Sequence, residues 1–265
     1  MTLTESNTRM TQHLYILTGG SRGMGLAIAE QLLQQGNALV CISRTTQASL
    51  TEQAQKAGAH LEQWSHDLAD GASASEALKK WLSSQDATQF QSATLINNAG
   101  VIPIIGPLSQ ADPYNLAMAL RVGLEAPMQL CAAFLGATEN WSMPRKVANI
   151  SSGLGRRAMA SQAGYCAAKA GMDHFTRCLA LDEALKPNGA KVTSLAPGVI
   201  DTDMQVQLRG APADKFPDQS GFQQLKATGM LTSPADAAKR ILDYLARPDF
   251  GSNPVSDVRD VRDAP

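Results

Sequence analysis

The chain has 265 residues, of which 44% are hydrophobic and 18% charged, with a formal net charge of -1. Its length suits a single α/β domain and its composition a soluble globular protein, not a disordered or fibrous one. The near-neutral charge argues against a nucleic-acid partner, which would need a basic stripe to pair with phosphates.

Residues 1–12, MTLTESNTRMTQ, are polar, lack the apolar centre of a signal peptide and read as an extension ahead of the first strand. LYILT (14–18) is the first strand, followed by a helix from Gly23 to Gln35 and a second strand, ALVCIS (38–43). A polar helix near 47–57 leads to the strand HLEQWS (60–65), then to a helix near 73–85 and the strand SATLIN (92–97). A long helix from Pro113 to Ala137, the strand KVANIS (146–151), a helix from Gly164 to Leu185 and the strand AKVTSLA (190–196) continue the alternation. Parallel strands need crossover connections, so this order predicts one doubly wound, Rossmann-type α/β domain with a mainly parallel sheet between helices. Residues 205–232, with Gly210, Pro212, Pro217, Gly221 and Gly229, break the rhythm. They read as a loop-rich substrate lid, because such sheets bind ligands at the carboxyl ends of their strands. The last residues, 258–265, read as a mobile tail.

No uninterrupted run of about 18 apolar residues marks a membrane span. Cys41, Cys131, Cys166 and Cys178 are scattered among apolar neighbours and read as buried, reduced thiols of a cytoplasmic protein. His13, His60, His66 and His174 have no metal-ligand spacing, so no metal is expected.

Thr18 to Gly25, TGGSRGMG, joins the first strand to the first helix. Glycines at Gly19, Gly23 and Gly25 let backbone approach a pyrophosphate, and Ser21, Arg22 and Met24 lie at a helix N-terminus whose free N–H groups attract it. Folds that choose NAD place an acidic residue after the second strand for the ribose 2′-hydroxyl. Here Ser43 and Arg44 stand there; an arginine fork suits a 2′-phosphate, so NADP(H) is the expected cofactor, with Arg22 as a second cation. Arg44 taken alone also reads as an ordinary surface arginine. Asp67, followed by Leu68, stands where a carboxylate would accept from an adenine amino group, or would cap the next helix. Asn97, Ala99 and Gly100 of NNAG offer a small surface for the cofactor's ribose. Tyr165 and Lys169, spaced i, i+4, share a helix face, where an ammonium would lower the phenol's pKa from its reference value of about 10. Ser152 ends the fifth strand in NISSG, where its hydroxyl would bond to a substrate carbonyl.

Together the glycine loop, NNAG ending at Gly100, Ser152, YCAAK (Tyr165 to Lys169) and PGVIDT (Pro197 to Thr202) resemble the short-chain dehydrogenases/reductases over about residues 14–250. The resemblance implies that Tyr165 protonates a carbonyl oxygen as hydride arrives and that Lys169 holds the nicotinamide ribose and lowers the tyrosine's pKa. It implies that Ser152, beside Gly153, orients the carbonyl, and that Pro197, Gly198, Ile200 and Thr202 embrace the nicotinamide, Gly198 also facing substrate. The family's usual asparagine in the fourth helix falls on Gly123, which puts its proton relay in doubt. ISRT (Ile42 to Thr45), YCAAKA (Tyr165 to Ala170), APGVIDTDMQ (Ala196 to Gln205) and LKATGMLTSP (Leu225 to Pro234) further resemble sepiapterin reductases and bacterial relatives that reduce benzil-like vicinal diketones. In that group an aspartate seven residues after a phenylalanine anchors the pterin; Phe250 and Asp257 have this spacing, and Asp257 otherwise reads as a solvated carboxylate beside Arg259 and Asp260. The expected function is therefore NADPH-dependent reduction of a ketone or vicinal diketone to the alcohol. A 3-oxoacyl carrier-protein reductase, with Arg209 and Lys215 as its docking cations, an alcohol dehydrogenase and a non-catalytic NADP sensor are the alternatives. The two long helices carry apolar residues on more than one face, which predicts a homo-oligomer, dimer or tetramer.

Overall fold

The structure, a computed structural model, describes residues 12–260. Seven strands form one sheet in the order β3-β2-β1-β4-β5-β6-β7. They are β1 (Gln12–Thr18), β2 (Asn37–Ser43), β3 (His60–Ser65), β4 (Phe90–Asn97), β5 (Arg145–Ile150), β6 (Lys191–Ala196) and β7 (Val255–Asp257). All six pairings are parallel. The helices between them, α1 (Gly23–Leu32), α2 (Ala48–Ala57), α3 (Gly71–Ser83), α4 (Pro113–Leu120), α5 (Ala126–Ala137), α6 (Ala163–Ala184) and α9 (Pro234–Leu245), are the crossovers that parallel pairing demands. The expected doubly wound Rossmann-type sheet is what the chain forms.

The pleat sorts each strand's residues to two cores. Leu14 and Ile16 of β1, with Val40 and Ile42 of β2, pack beneath α3 and α5 against Leu78, Leu82 and Phe134. Leu17, Leu39 and Cys41 point the other way, to Ile28 of α1, Leu50 of α2 and Ile241 of α9. Both faces being covered, the interior strands are apolar almost throughout, which is why they were readable as short runs. Full burial of one such side chain as Phe134 stabilises the fold by about 1.5–3 kcal/mol.

Several expectations need correction. Gln12 already belongs to β1, so the extension ends one residue earlier, and residues 1–11 and 261–265 lie outside the described residues. Within the expected tail, Val258 and Asp260 are held: their N–H groups donate to Ala196 O at 3.0 Å and Asp257 O at 3.0 Å. The lid segment is largely helical, α7 (Asp203–Gly210) and α8 (Gln219–Ala227), because its Pro and Gly residues fall mostly between or beyond the helices. Phe216 is fully buried there and stacks on Phe222 at 5.6 Å.

The long helix expected from Pro113 to Ala137 is interrupted by a π-helical turn, Arg121–Glu125. Pro127 has no N–H for the Gly123 carbonyl, and its ring crowds that carbonyl, so the turn widens there. The stretch Pro113–Ala137 is long and apolar enough to cross a membrane by length and mean hydropathy, although Asn115, Arg121, Glu125 and Gln129 interrupt any apolar run. Its packing makes it a core element instead: Leu130, Cys131 and Phe134 lie in the cluster beneath α3. Not every thiol is buried. Cys41 and Cys131 are, and burial pushes each up to about 12, but Cys166 is half-buried and Cys178 exposed; all four are free.

Candidate active site

β1 leads to α1 on one face of the sheet and its neighbour β4 leads to α5 on the other, so a crevice opens beyond their carboxyl ends. It holds a cavity of about 720 Å³, within the usual range of about 300–1,000 Å³ for small-molecule sites. The cavity runs from the glycine loop, past β4 and β5, to α6 and the α7–α8 segment.

At one end, Gly19, Ser21, Arg22, Gly23, Met24 and Gly25 line it, with Ser43, Arg44, Asp67 and Leu68. The loop is built from close approaches. Gly19 has φ +72°, and a Cβ on Gly25 would sit 2.0 Å from Gly19 O, which no side chain allows. No side chain caps the start of α1 and its first turn has no acidic residue, so its N–H groups face the cavity uncapped. Asn98 fixes the loop to the sheet: its Nδ2 donates to Thr18 O at 3.0 Å, while Thr18 Oγ1 accepts from the N–H groups of Asn98 at 2.9 Å and Ala99 at 3.0 Å.

Asn97 is a correction. It is 1% exposed and does not line the cavity. Its Nδ2 donates to Asn149 Oδ1 at 2.8 Å, and Asn149 passes the chain on to Thr176 of α6 at 2.9 Å. Asn98, the residue after Asn97 and just past the end of β4, is the one at the cavity wall. Asp67 Oδ1 accepts from Ala69 N at 3.0 Å, closing a local turn, and the cap of α3 is Asp70, not Asp67. Arg22 reaches Asp203 at the start of α7 at 3.3 Å, an exposed pair. Arg44 is exposed at the cavity rim.

At the other end stand Ser152, Gly153, Tyr165 and Lys169, with Ala99, Gly100, Pro197, Gly198, Ile200 and Thr202. Ser152 Oγ accepts from Leu154 N at 3.1 Å, leaving its O–H to hydrogen-bond Tyr165. Lys169 is 3% exposed, donates to Ile150 O at 2.7 Å and lies 5.8 Å from the Tyr165 ring centroid. Burial pushes the Tyr165 phenol up to about 12 against the hydrogen bond from Ser152. That departs from the expected lowering: the lysine is turned to the β5 carbonyl and burial dominates. Burial also brings Lys169 down to about 8, opposed by the charge of Asp173 one turn on. Asp173 accepts from Ser194 Oγ at 2.6 Å and pairs with Arg156 at 3.2 Å. Gly123 lies buried in the π turn, where a Cβ would come 3.2 Å from Ala168 Cβ.

Asp257 does line the cavity, yet its carboxylate is taken. Arg259 donates to its two oxygens at 2.7 and 2.6 Å, and these bonds hold the carboxyl below the usual range against the upward push of burial. Arg209 lies 3.7 Å from Asp201 and is not a free docking cation.

The residues fit a dinucleotide. Besides the glycine cradle and uncapped helix start, Ser43 Oγ is buried at the cavity wall with no hydrogen-bond partner in the protein. Ser151 Oγ, both amide atoms of Gln162 and Gln205 Oε1 are orphaned in the same way along the substrate half. Sequence reasoning gave no role to Asn98, Gln162 or Gln205; Asn98 adjoins a chosen residue and Gln205 ends the quoted APGVIDTDMQ stretch, but Gln162 carries no motif.

Residues 13–213 match the family described as short chain dehydrogenase. The chain is 36% identical over 235 residues to benzil reductase ((S)-benzoin forming) of Bacillus cereus, covering 89% of this chain and 94% of that one. It is 30% identical over 256 residues to sepiapterin reductase of Meriones unguiculatus, covering 92% and 95% respectively. A solved short-chain dehydrogenase/reductase from Burkholderia vietnamiensis superposes with TM-score 0.60 at 32% identity, over 94% of this chain and all of that one (100%).

Proposed function

The chain belongs to the short-chain dehydrogenase family, and on that premise we propose that it reduces a ketone, best a vicinal diketone, to the alcohol with NADPH. The observation that carries this is one cavity with Ser152, Tyr165 and Lys169 at one end and a glycine-cradled helix start beside Arg44 at the other.

Gly19 to Gly25 would hold the pyrophosphate, Ser43 and Arg44 the 2′-phosphate, and Asp67 with Leu68 the adenine. Ala99, Gly100 and the Pro197–Thr202 segment would hold the nicotinamide half. When bound, the nicotinamide supplies a hydride to the carbonyl carbon. Ser152 donates a hydrogen bond to the carbonyl oxygen and orients it. Tyr165 gives that oxygen its proton. A phenol pushed up by burial is a weak acid until charge develops on the oxygen beside it, and the Lys169 ammonium then offsets the phenolate. The sign for pH follows: reduction needs Lys169 charged, so the rate of benzil reduction holds below pH about 8 and falls as pH rises through about 8, read from kcat/KM against pH. A rate unchanged through pH 10 would remove Lys169's charge from the step.

A diketone is favoured over a pterin because Arg259 already occupies Asp257, which a pterin's N–H edge would have to displace. The carrier-protein alternative is less favoured, since Arg209 is engaged by Asp201. NADPH consumption across benzil, sepiapterin, simple ketones and acetoacetyl thioesters, with NADH in parallel, tests this reading; benzil with NADPH is expected to be fastest, and a preference for the thioester would overturn it.

The α7–α8 segment would close over substrate, and a second subunit would cover α4 and α6. Tyr114 (87% exposed), Leu181 (71%) and Leu185 (86%) leave large apolar surface outside. Light scattering is expected to give a multiple of the 28.1 kDa chain mass; a monomer mass would refute it.

A further inference from the structure

Gln162 is the residue immediately before α6, three residues ahead of Tyr165. Its backbone is committed, the carbonyl accepting from Cys166 N at 2.8 Å. Its side chain is not. The residue is 1% exposed and lines the cavity, yet neither Nε2 nor Oε1 has a hydrogen-bond partner. A buried primary amide left unpaired is expensive, and leaving both its donor and its acceptor unpaired is more so. Nearby, the substrate half of the cavity is walled by Ile102, Met118, Val122, Leu154 and Met159, which offer a ligand no polar contact. The carboxylates at that end are already paired, Asp257 with Arg259 and Asp203 with Arg22.

We propose that Gln162 is a specificity-determining residue that reads the oxygen on the carbon next to the carbonyl being reduced. This rests on the reading of the cavity as a ketone-reducing site. Ser152 and Tyr165 take the reacting oxygen, and Gln162, a turn before Tyr165, takes its neighbour. The residue type matters. A primary amide carries both a donor and an acceptor, so Nε2 donates to a neighbouring carbonyl, and the turned amide lets Oε1 accept from a neighbouring hydroxyl. A carboxylate would repel the first, and an ammonium could not accept from the second. The substrate class is therefore vicinal dicarbonyls together with α-hydroxy ketones, whose second oxygen differs only in oxidation state. A plain ketone would leave the amide orphaned and is penalised accordingly.

The test is a matched pair, benzil and deoxybenzoin, which differ by one carbonyl oxygen, assayed with NADPH on the wild type, Gln162→Met and Gln162→Leu. For both variants kcat/KM on benzil is expected to fall about ten- to hundred-fold, with KM rising, while deoxybenzoin reduction changes far less. Because the variants remove an unpaired amide from the ligand-free protein, their Tm is expected to equal or exceed that of the wild type. Equal losses on both ketones with a lowered Tm would make Gln162 merely structural, and unchanged benzil kinetics would place it out of contact with substrate; either overturns the proposal. A wild type that reduces neither ketone would remove the ketone-reductase reading itself, and this inference with it.

Discussion

Tyr165→Phe is expected to lower kcat/KM for benzil by about a hundred- to ten-thousand-fold, the range in which a positioned proton donor contributes. NADPH binding, followed by cofactor fluorescence, should be retained. The two readouts separate because the phenol hydroxyl sits at one end of the cavity, hydrogen-bonded to Ser152, while the glycine loop and Arg44 lie at the other. The exchange removes one oxygen and preserves the ring, so little packing is lost. A large loss of cofactor affinity would mean Tyr165 is part of the dinucleotide's support. Unchanged turnover would mean that another group, or water, supplies the proton.

Arg44→Asp is expected to weaken NADPH use about ten- to hundred-fold, read as kcat/KM for cofactor, while NADH use holds or improves. Arg44 follows β2 at the cavity rim, and its side chain is exposed. Arg22 is the second cation, but it already reaches Asp203 at 3.3 Å, so the unencumbered guanidinium at Arg44 should carry most of the preference. Replacing it by a carboxylate both removes a planar partner of the 2′-phosphate and adds repulsion. An NADPH-to-NADH ratio that does not move would shift the preference to Arg22 or to backbone.

Much of the sheet was legible because burial on both faces leaves its strands short and apolar: LYILT, ALVCIS and SATLIN stand out between polar ends. β7 did not. Three residues, Val255–Asp257, carry no pattern, and only their pairing with Ser194–Ala196 makes them a strand. α9 had a readable start, Ser233 and Pro234 with Asp236, whose N–H donates to Ser233 Oγ at 3.1 Å, and the capping signal was passed over. Along the cavity, residues set by the chain's local order, such as the glycine loop and the Tyr165–Lys169 face of α6, came together as spacing implied. What spacing could not carry was orientation. Asn97 and Asn98 are adjacent and chemically alike, yet Asn97, the last residue of β4, turns into the core while Asn98, just beyond it, lines the cavity. Asp257 has the right place but spends its charge on Arg259, two residues on. Gln162 is conspicuous solely because nothing around it answers its amide, and that is a property of the folded surroundings.

The account rests on hydride reaching a carbonyl whose oxygen is held by Ser152 and protonated by Tyr165. The most direct measurement is a turnover with benzil and NADPH dideuterated at C4 of the nicotinamide, with the product examined by mass spectrometry and proton NMR. One deuterium on a carbinol carbon of the product, benzoin or the diol formed from it, for each NADPH oxidised is the predicted result. Benzoin carrying only solvent hydrogen at that carbon, or NADPH bound but never oxidised by benzil, would contradict it.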